Sequence, residues 1–149
     1  LVTSSAGYGF VANVDGLISK NRSGKQILSV SKKGVMLAPI PVGNIDEDWV
    51  ACVSNKGNLL IFPVAELPLL VKGKGQKLIQ IPSRKFEEGQ EYMVGAAILG
   101  PEDSLRLYSG GRYLTLKAAD QEYYVGERAR RGSRLPRGFQ RVDSLAPFR

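Results

Sequence analysis

The sequence contains no histidine, and Cys52 is its single cysteine among 149 residues. Without histidine, imidazole acid–base catalysis, the Ser-His-Asp triad and every zinc site that needs an imidazole are excluded. One cysteine excludes an intrachain disulfide and any cysteine-cluster metal site. It fits a reducing cytosol, and its neighbours Val50, Ala51 and Val53 read as a buried strand, where Cys acts as a small hydrophobe. No run of 18 apolar residues occurs, so no helix is expected to cross a membrane. The start, Leu1-Val2-Thr3-Ser4-Ser5, has neither a basic n-region nor a long apolar stretch and does not read as a signal peptide. It lacks an initiator Met and opens straight into a strand-like pattern, as expected for a piece of a longer protein. No helical period of useful length appears, and at most one helical turn is expected near Ala119-Asp120-Gln121-Glu122. What is present is an ordinary 43% hydrophobic content, enough for a folded core that removes roughly 68–70% of the unfolded surface from water.

That content is arranged in a repeat, sought first because it decides the fold. Three segments, about 1–48, 49–103 and 104–142, each begin with a strand, a tight glycine turn and a second strand. The turns are Ala6-Gly7-Tyr8-Gly9, Asn55-Lys56-Gly57-Asn58 and Ser109-Gly110-Gly111-Arg112, with Gly7, Gly57 and Gly111 aligned. Val14-Asp15-Gly16-Leu17 matches Val64-Ala65-Glu66-Leu67 without a gap. A Gly-rich basic loop follows in each, and then a short strand: Ile27–Val30, Leu78–Ile81 and Phe139–Val142. Apolar strands are expected again at Val35–Ala38 and Tyr92–Leu99. Runs rich in Val, Ile, Leu and Tyr between Gly and Asn turns read as strands. About four strands per 50 residues predicts an all-β, blade-like architecture of about three repeats. Phe10, Phe62 and Leu114, on the second strand of each hairpin, are expected in the core, with Trp49.

The charge follows the same period. The 21 Lys and Arg against 14 Asp and Glu give a net charge of +7. Sixteen of the 21 bases fall in three windows that contain no acid. The first holds Lys20, Arg22, Lys25, Lys32 and Lys33. The second holds Lys72, Lys74, Lys77, Arg84 and Lys85. The third holds Arg128, Arg130, Arg131, Arg134, Arg137 and Arg141. Organised charge speaks to partners where scattered charge does not. In a blade array, equivalent basic loops line one rim. Glycines there let backbone N–H groups approach phosphates, and arginine forks suit bidentate phosphate contacts. Aromatics are not interleaved, apart from Phe139, which disfavours single-strand stacking platforms. Duplex backbone, read with little sequence preference, is the expected ligand. The DNA-binding candidates are Lys20, Arg22, Lys25, Lys32, Lys33, Lys72, Lys74, Lys77, Arg128, Arg130, Arg131, Arg134, Arg137 and Arg141.

Other chemistry finds no support. Gly73-Lys74-Gly75-Gln76-Lys77 lacks the phosphate-loop spacing and a following long helix. Asp46, Glu47 and Asp48 lack the alternating spacing of a calcium loop and read as an acidic turn, as do Glu87, Glu88 and Glu91 around Gly89. No catalytic residue, metal ligand or cofactor is expected in this chain.

Several motifs together carry a resemblance: Gly7-Tyr8-Gly9-Phe10, Asn21-Arg22-Ser23-Gly24-Lys25, Phe62-Pro63-Val64 with Leu67-Pro68, Lys72-Gly73-Lys74-Gly75, and Gly126-Glu127-Arg128 with Arg130-Arg131-Gly132 and Arg137-Gly138. As a set they resemble the C-terminal domain of the A subunit of bacterial DNA topoisomerase IV, over nearly the whole chain. The resemblance implies a β-pinwheel of four-stranded blades that exchange strands with their neighbours, in a parent domain of five or six. It implies duplex DNA bent along the basic rim and presented to a catalytic core for decatenation and supercoil relaxation. ATP and magnesium would be bound elsewhere in the parent enzyme, and the setting would be the bacterial cytoplasm, at the nucleoid. The implied partners are the rest of the A subunit, its companion ATPase subunit, and, as an alternative use of the rim, an acidic protein such as a condensin. The Gln-Arg-Arg-Gly-Gly-Lys-Gly box of the related gyrase domain is missing, so strong chiral wrapping is not implied. Arg112-Tyr113 matches the family's catalytic dipeptide only superficially, lies in a hairpin and reads as structural. With three repeats, the first strand at Leu1 is expected to lie exposed. Basicity alone leaves a structured-RNA ligand open.

Overall fold

The computed structural model describes residues 1–12, 34–70 and 75–148. Three hairpins organise it. Val2–Thr3 (β1) pairs with Tyr8–Phe10 (β2), and Trp49–Ser54 (β3) with Asn58–Pro63 (β4). The first two turns are the same device: the amides of Gly7 and Gly57 each donate to the serine carbonyl three residues back, Ser4 and Ser54, both at 3.0 Å. Both glycines are left-handed, at φ +89 and +84, the conformation that three-residue hairpin loops require. The third hairpin, Ser104–Ser109 (β7) with Arg112–Leu116 (β8), closes through two residues, and its left-handed glycine is Gly110, not Gly111.

The short strands link one hairpin to the next. Gln76–Lys77 (β5) pairs with β2, and Ser133–Arg134 (β9) pairs with β4. Each is preceded by a left-handed glycine, Gly75 or Gly132, whose Cβ would run into a backbone carbonyl of the earlier hairpin, that of Gly9 or Leu59. Each is followed by a leucine, Leu78 or Leu135, whose amide donates to the turn carbonyl of Gly7 or Gly57. Parallel bridges Val11–Leu69 and Ile61–Val125 repeat the correspondence. Met93–Leu99 (β6) flanks β3, and Ser144–Phe148 (β10) flanks β7. The sheet orders are β1-β2-β5, β6-β3-β4-β9 and β10-β7-β8.

The second sheet is buried on both faces, because alternate residues of a strand point to opposite sides. Val50, Cys52, Leu60 and Phe62 join Leu1, Val11, Leu78 and Ile79 in one core cluster. Ala51, Val53, Leu59 and Ile61 join Leu105, Leu107, Leu116 and Leu135 in the other. Phe10 and Phe62 are fully buried, and Trp49 and Leu114 pack half-buried against the second cluster.

The expected all-β class holds, with corrections in detail. The strand expected at Leu78–Ile81 lies two residues earlier. Leu78 and Ile79 instead bury their side chains from a bend. Phe139–Val142 forms no strand; a turn in which the Phe139 amide donates to the Pro136 carbonyl interrupts the run, and the pairing is made by β9 and β10. Within Val35–Ala38 only Met36 forms a bridge, to Ser4. Leu1–Ser5 are buried, not exposed, because the 35–40 segment lies along β1, with Leu37 and Ile40 donating to Thr3 and Leu1. Ser83–Glu87 forms a short helix (α1) after Pro82, too brief to leave a periodic signal. Ala118–Gln121 (α2) continues as a 3-10 turn over Glu122–Tyr124, longer than the single turn expected. The strand expected at Ile27–Val30 lies outside the described residues, as does the Val14–Leu17 match.

Candidate nucleic-acid interface

Seven of the candidate residues, Lys20, Arg22, Lys25, Lys32, Lys33, Lys72 and Lys74, lie outside the described residues. The other seven divide into two groups by what their side chains touch.

Lys77, Arg128 and Arg131 are bonded within the protein. Lys77 donates from Nζ to Gln80 Oε1 at 2.7 Å, Arg128 from Nη1 to the Lys77 carbonyl at 2.7 Å, and Arg131 from Nη1 to the Gln80 carbonyl at 2.9 Å. Arg131 also forks onto Glu91, at 2.5 Å to Oε2 and 3.4 Å to Oε1. Glu91 is therefore no part of a solvated acidic turn: it is 1% exposed and paired. Its partner lies 40 residues on, beyond any local pattern. Arg130 makes a surface pair with Glu127 at 3.0 Å, an interaction worth little in water.

Arg134, Arg137 and Arg141 are exposed, and among the described residues none of their side chains has a hydrogen bond or ion pair. Arg134 stands on β9. The chain then crosses the tips of two hairpins. The Phe139 carbonyl lies over Gly57, the Val142 amide donates to the Asn55 carbonyl, and the Asp143 amide donates to that of Tyr108. Asp143 fixes the third tip by accepting the Gly110 amide at 2.7 Å. A shallow depression there is lined by Ser109, Gly110, Gly111, Arg112, Arg141 and Asp143, and the Arg112 guanidinium lies beside Gly138. Arg112, Arg137 and Arg141 thus gather at one tip, and exposed Lys56 stands at the other. Counting acid-free windows missed Arg112 and Lys56. Their signal is the flanking of a turn glycine, Lys56-Gly57 and Gly111-Arg112.

The outer face of the third sheet adds a feature the sequence did not suggest. The Arg106 guanidinium stacks over Phe148 at 3.7 Å and Tyr113 at 4.4 Å, while its Nε donates to Thr115. In the acidic turn at 46–48 one carboxylate is used on the backbone: Asp48 Oδ2 accepts the Gly43 and Asn44 amides. Cys52 is fully buried, and burial pushes its thiol up. Among the described residues, no helix is long and apolar enough to cross a membrane.

Strand exchange between successive hairpins, together with basic tips, defines a class of propeller-like domains, and the chain belongs to one of its families. The profile of the family described as DNA gyrase C-terminal domain, beta-propeller, matches residues 1–42 and 48–99. Among curated proteins the chain is similar to the A subunit of DNA topoisomerase 4 of Pseudomonas aeruginosa, 48% identical over 97% of this chain, and to that of Escherichia coli K12, 36% identical over 97%. It spans 19% of the length of each. Among solved structures it is similar to the E. coli ParC C-terminal domain, with a TM-score of 0.87 and 34% identity, covering 98% of this chain and 58% of that one. A crystal structure of the C-terminal domain of DNA topoisomerase IV, 14% identical over 99% of this chain and 45% of that one, shares the fold at a TM-score of 0.75. The expected resemblance to the C-terminal domain of a topoisomerase IV A subunit holds.

Proposed function

We propose that this chain is a non-catalytic duplex-DNA binding and bending module, part of the C-terminal domain of a topoisomerase IV A subunit. The observation that carries the reading is the exposed set Arg134, Arg137 and Arg141, unpaired among the described residues and joined at the hairpin tips by Arg112 and Lys56. Unpaired guanidinium groups on an exposed edge can neutralise backbone phosphates without reading base edges. In the parent enzyme the module would hold a DNA segment against the catalytic core for decatenation and supercoil relaxation. Its partners there would be the rest of its own polypeptide and the ATPase subunit, with ATP and magnesium bound elsewhere.

The test is duplex affinity by fluorescence anisotropy over a salt series, with two unrelated sequences and a structured RNA competitor. The expected result is a log–log slope worth several phosphates, at about −0.9 each, equal for both duplexes and with the RNA competing weakly. Negligible affinity at low salt would overturn the reading. A second reading, docking of an acidic protein such as a condensin, draws on the compact grouping of Arg112, Arg137 and Arg141 around one turn. A partner retained in a nuclease-treated pull-down and lost on R137E would favour it.

A further inference from the structure

We propose that Glu91 is the positioning residue of the basic loop at 127–134: it withdraws Arg131 from the phosphate-binding set and uses it to hold the loop in place. This rests on the DNA-binding reading above. Glu91 is the one buried acid among the described residues, and it stands just before β6, on a different stretch of chain from the loop. Its carboxylate takes both arms of the Arg131 guanidinium, which also donates to the Gln80 carbonyl.

Around that pair the loop is bonded to residues 77–80. The Ala129 amide donates to the Leu78 carbonyl, the Gln80 amide to the Arg130 carbonyl, and Arg128 to the Lys77 carbonyl. Ala129 sits at φ +73 and is the one non-glycine residue in the left-handed region among those described. Such a conformation persists only where its surroundings hold it. Arg131 cannot give its fork to a phosphate without leaving Glu91 charged, buried and unpaired, which is strongly unfavourable. Arg131 therefore anchors, and Arg134 at the loop's far end is presented.

The test compares E91Q with E88Q in the intact chain; both remove one negative charge. If only net charge mattered, both would tighten duplex binding. The expected result is that E88Q binds at least as well as wild type, while E91Q binds about 3–10-fold more weakly, by analogy with lost buried partners. Tighter binding by E91Q would overturn the proposal. Because E91Q leaves half of a buried pair, E91M/R131M replaces the pair by apolar groups of similar reach, a change often neutral for folding. With exchange at Ala129 and Gln80 still slow, its salt slope should equal that of wild type; a slope shallower by about 0.9 in a variant whose loop stays protected would make Arg131 a phosphate contact and overturn the assignment. Amide exchange separates this proposal from the DNA reading itself. E91Q should speed exchange at Ala129 and Gln80 by about tenfold or more with β3 unchanged, the response of a local opening. Unchanged exchange there would refute the anchor even in a protein that bound no DNA.

Discussion

Gly57 shows how one residue serves both fold and site. It is left-handed at φ +84, and a Cβ there would lie 2.5 Å from the Phe139 carbonyl oxygen and 2.9 Å from the Gln140 Cα. Gly57→Ala should therefore cost about 1–3 kcal/mol, read as a lower urea midpoint, and displace the segment that carries Arg137 and Arg141. Cys52 gives a pH signature. Burial raises its thiol above the ordinary 9.0, so above that pH the unfolded chain releases a proton that the folded chain keeps. Stability then falls as pH rises through the unfolded value, and well below pH 9 the group contributes no slope. Tyr124, raised first by burial and then by the Tyr123 and Asp120 charges, acts in the same direction. Cys52→Ala should flatten the fall in urea midpoint between pH 8 and pH 10, and native Cys52 should resist thiol reagents. The buried positions of Phe10, Phe62 and Cys52 were legible because each lies in a short apolar run beside a glycine turn. Glu91 was not, because its partner is remote in sequence and a Glu beside Gly89 looks like any solvated turn.

At the scale of elements, the hairpins and the exchanged strands differ in what holds them. β3 lies between β6 and β4 with side chains buried on both faces. Its central amides should exchange only through global unfolding, whereas those of the two-residue strands β5 and β9 should exchange faster; hydrogen exchange resolved by residue checks this ordering. Equal protection of β3, β5 and β9 would contradict it. The hairpins were legible because turn glycines and alternation are local signals. β9 and β10 were not. Two residues carry no period, and β10 includes Pro147, which demotes a run to an edge strand, where it lies beside β7. The repeat itself left a mark in the glycines, Gly75 and Gly132 holding the same place against successive hairpins.

For the whole molecule, charge counted along the chain and charge presented in space are different quantities. The third acid-free window holds six arginines; two of them, Arg128 and Arg131, brace the loop against residues 77–80, and Arg130 pairs with Glu127. The basic character of the edge was legible in the sequence, and the division into bracing and presented groups required the fold. The DNA-binding role turns on whether Arg134, Arg137 and Arg141 neutralise duplex phosphates. That is decided by the salt dependence of duplex affinity for R134Q/R137Q/R141Q beside wild type, with folding checked by the urea midpoint. The expected slope is shallower by about 2.7, three phosphates at about 0.9 each, with weaker binding to every sequence alike. An unchanged slope and affinity in the folded variant would mean that these arginines do not touch DNA.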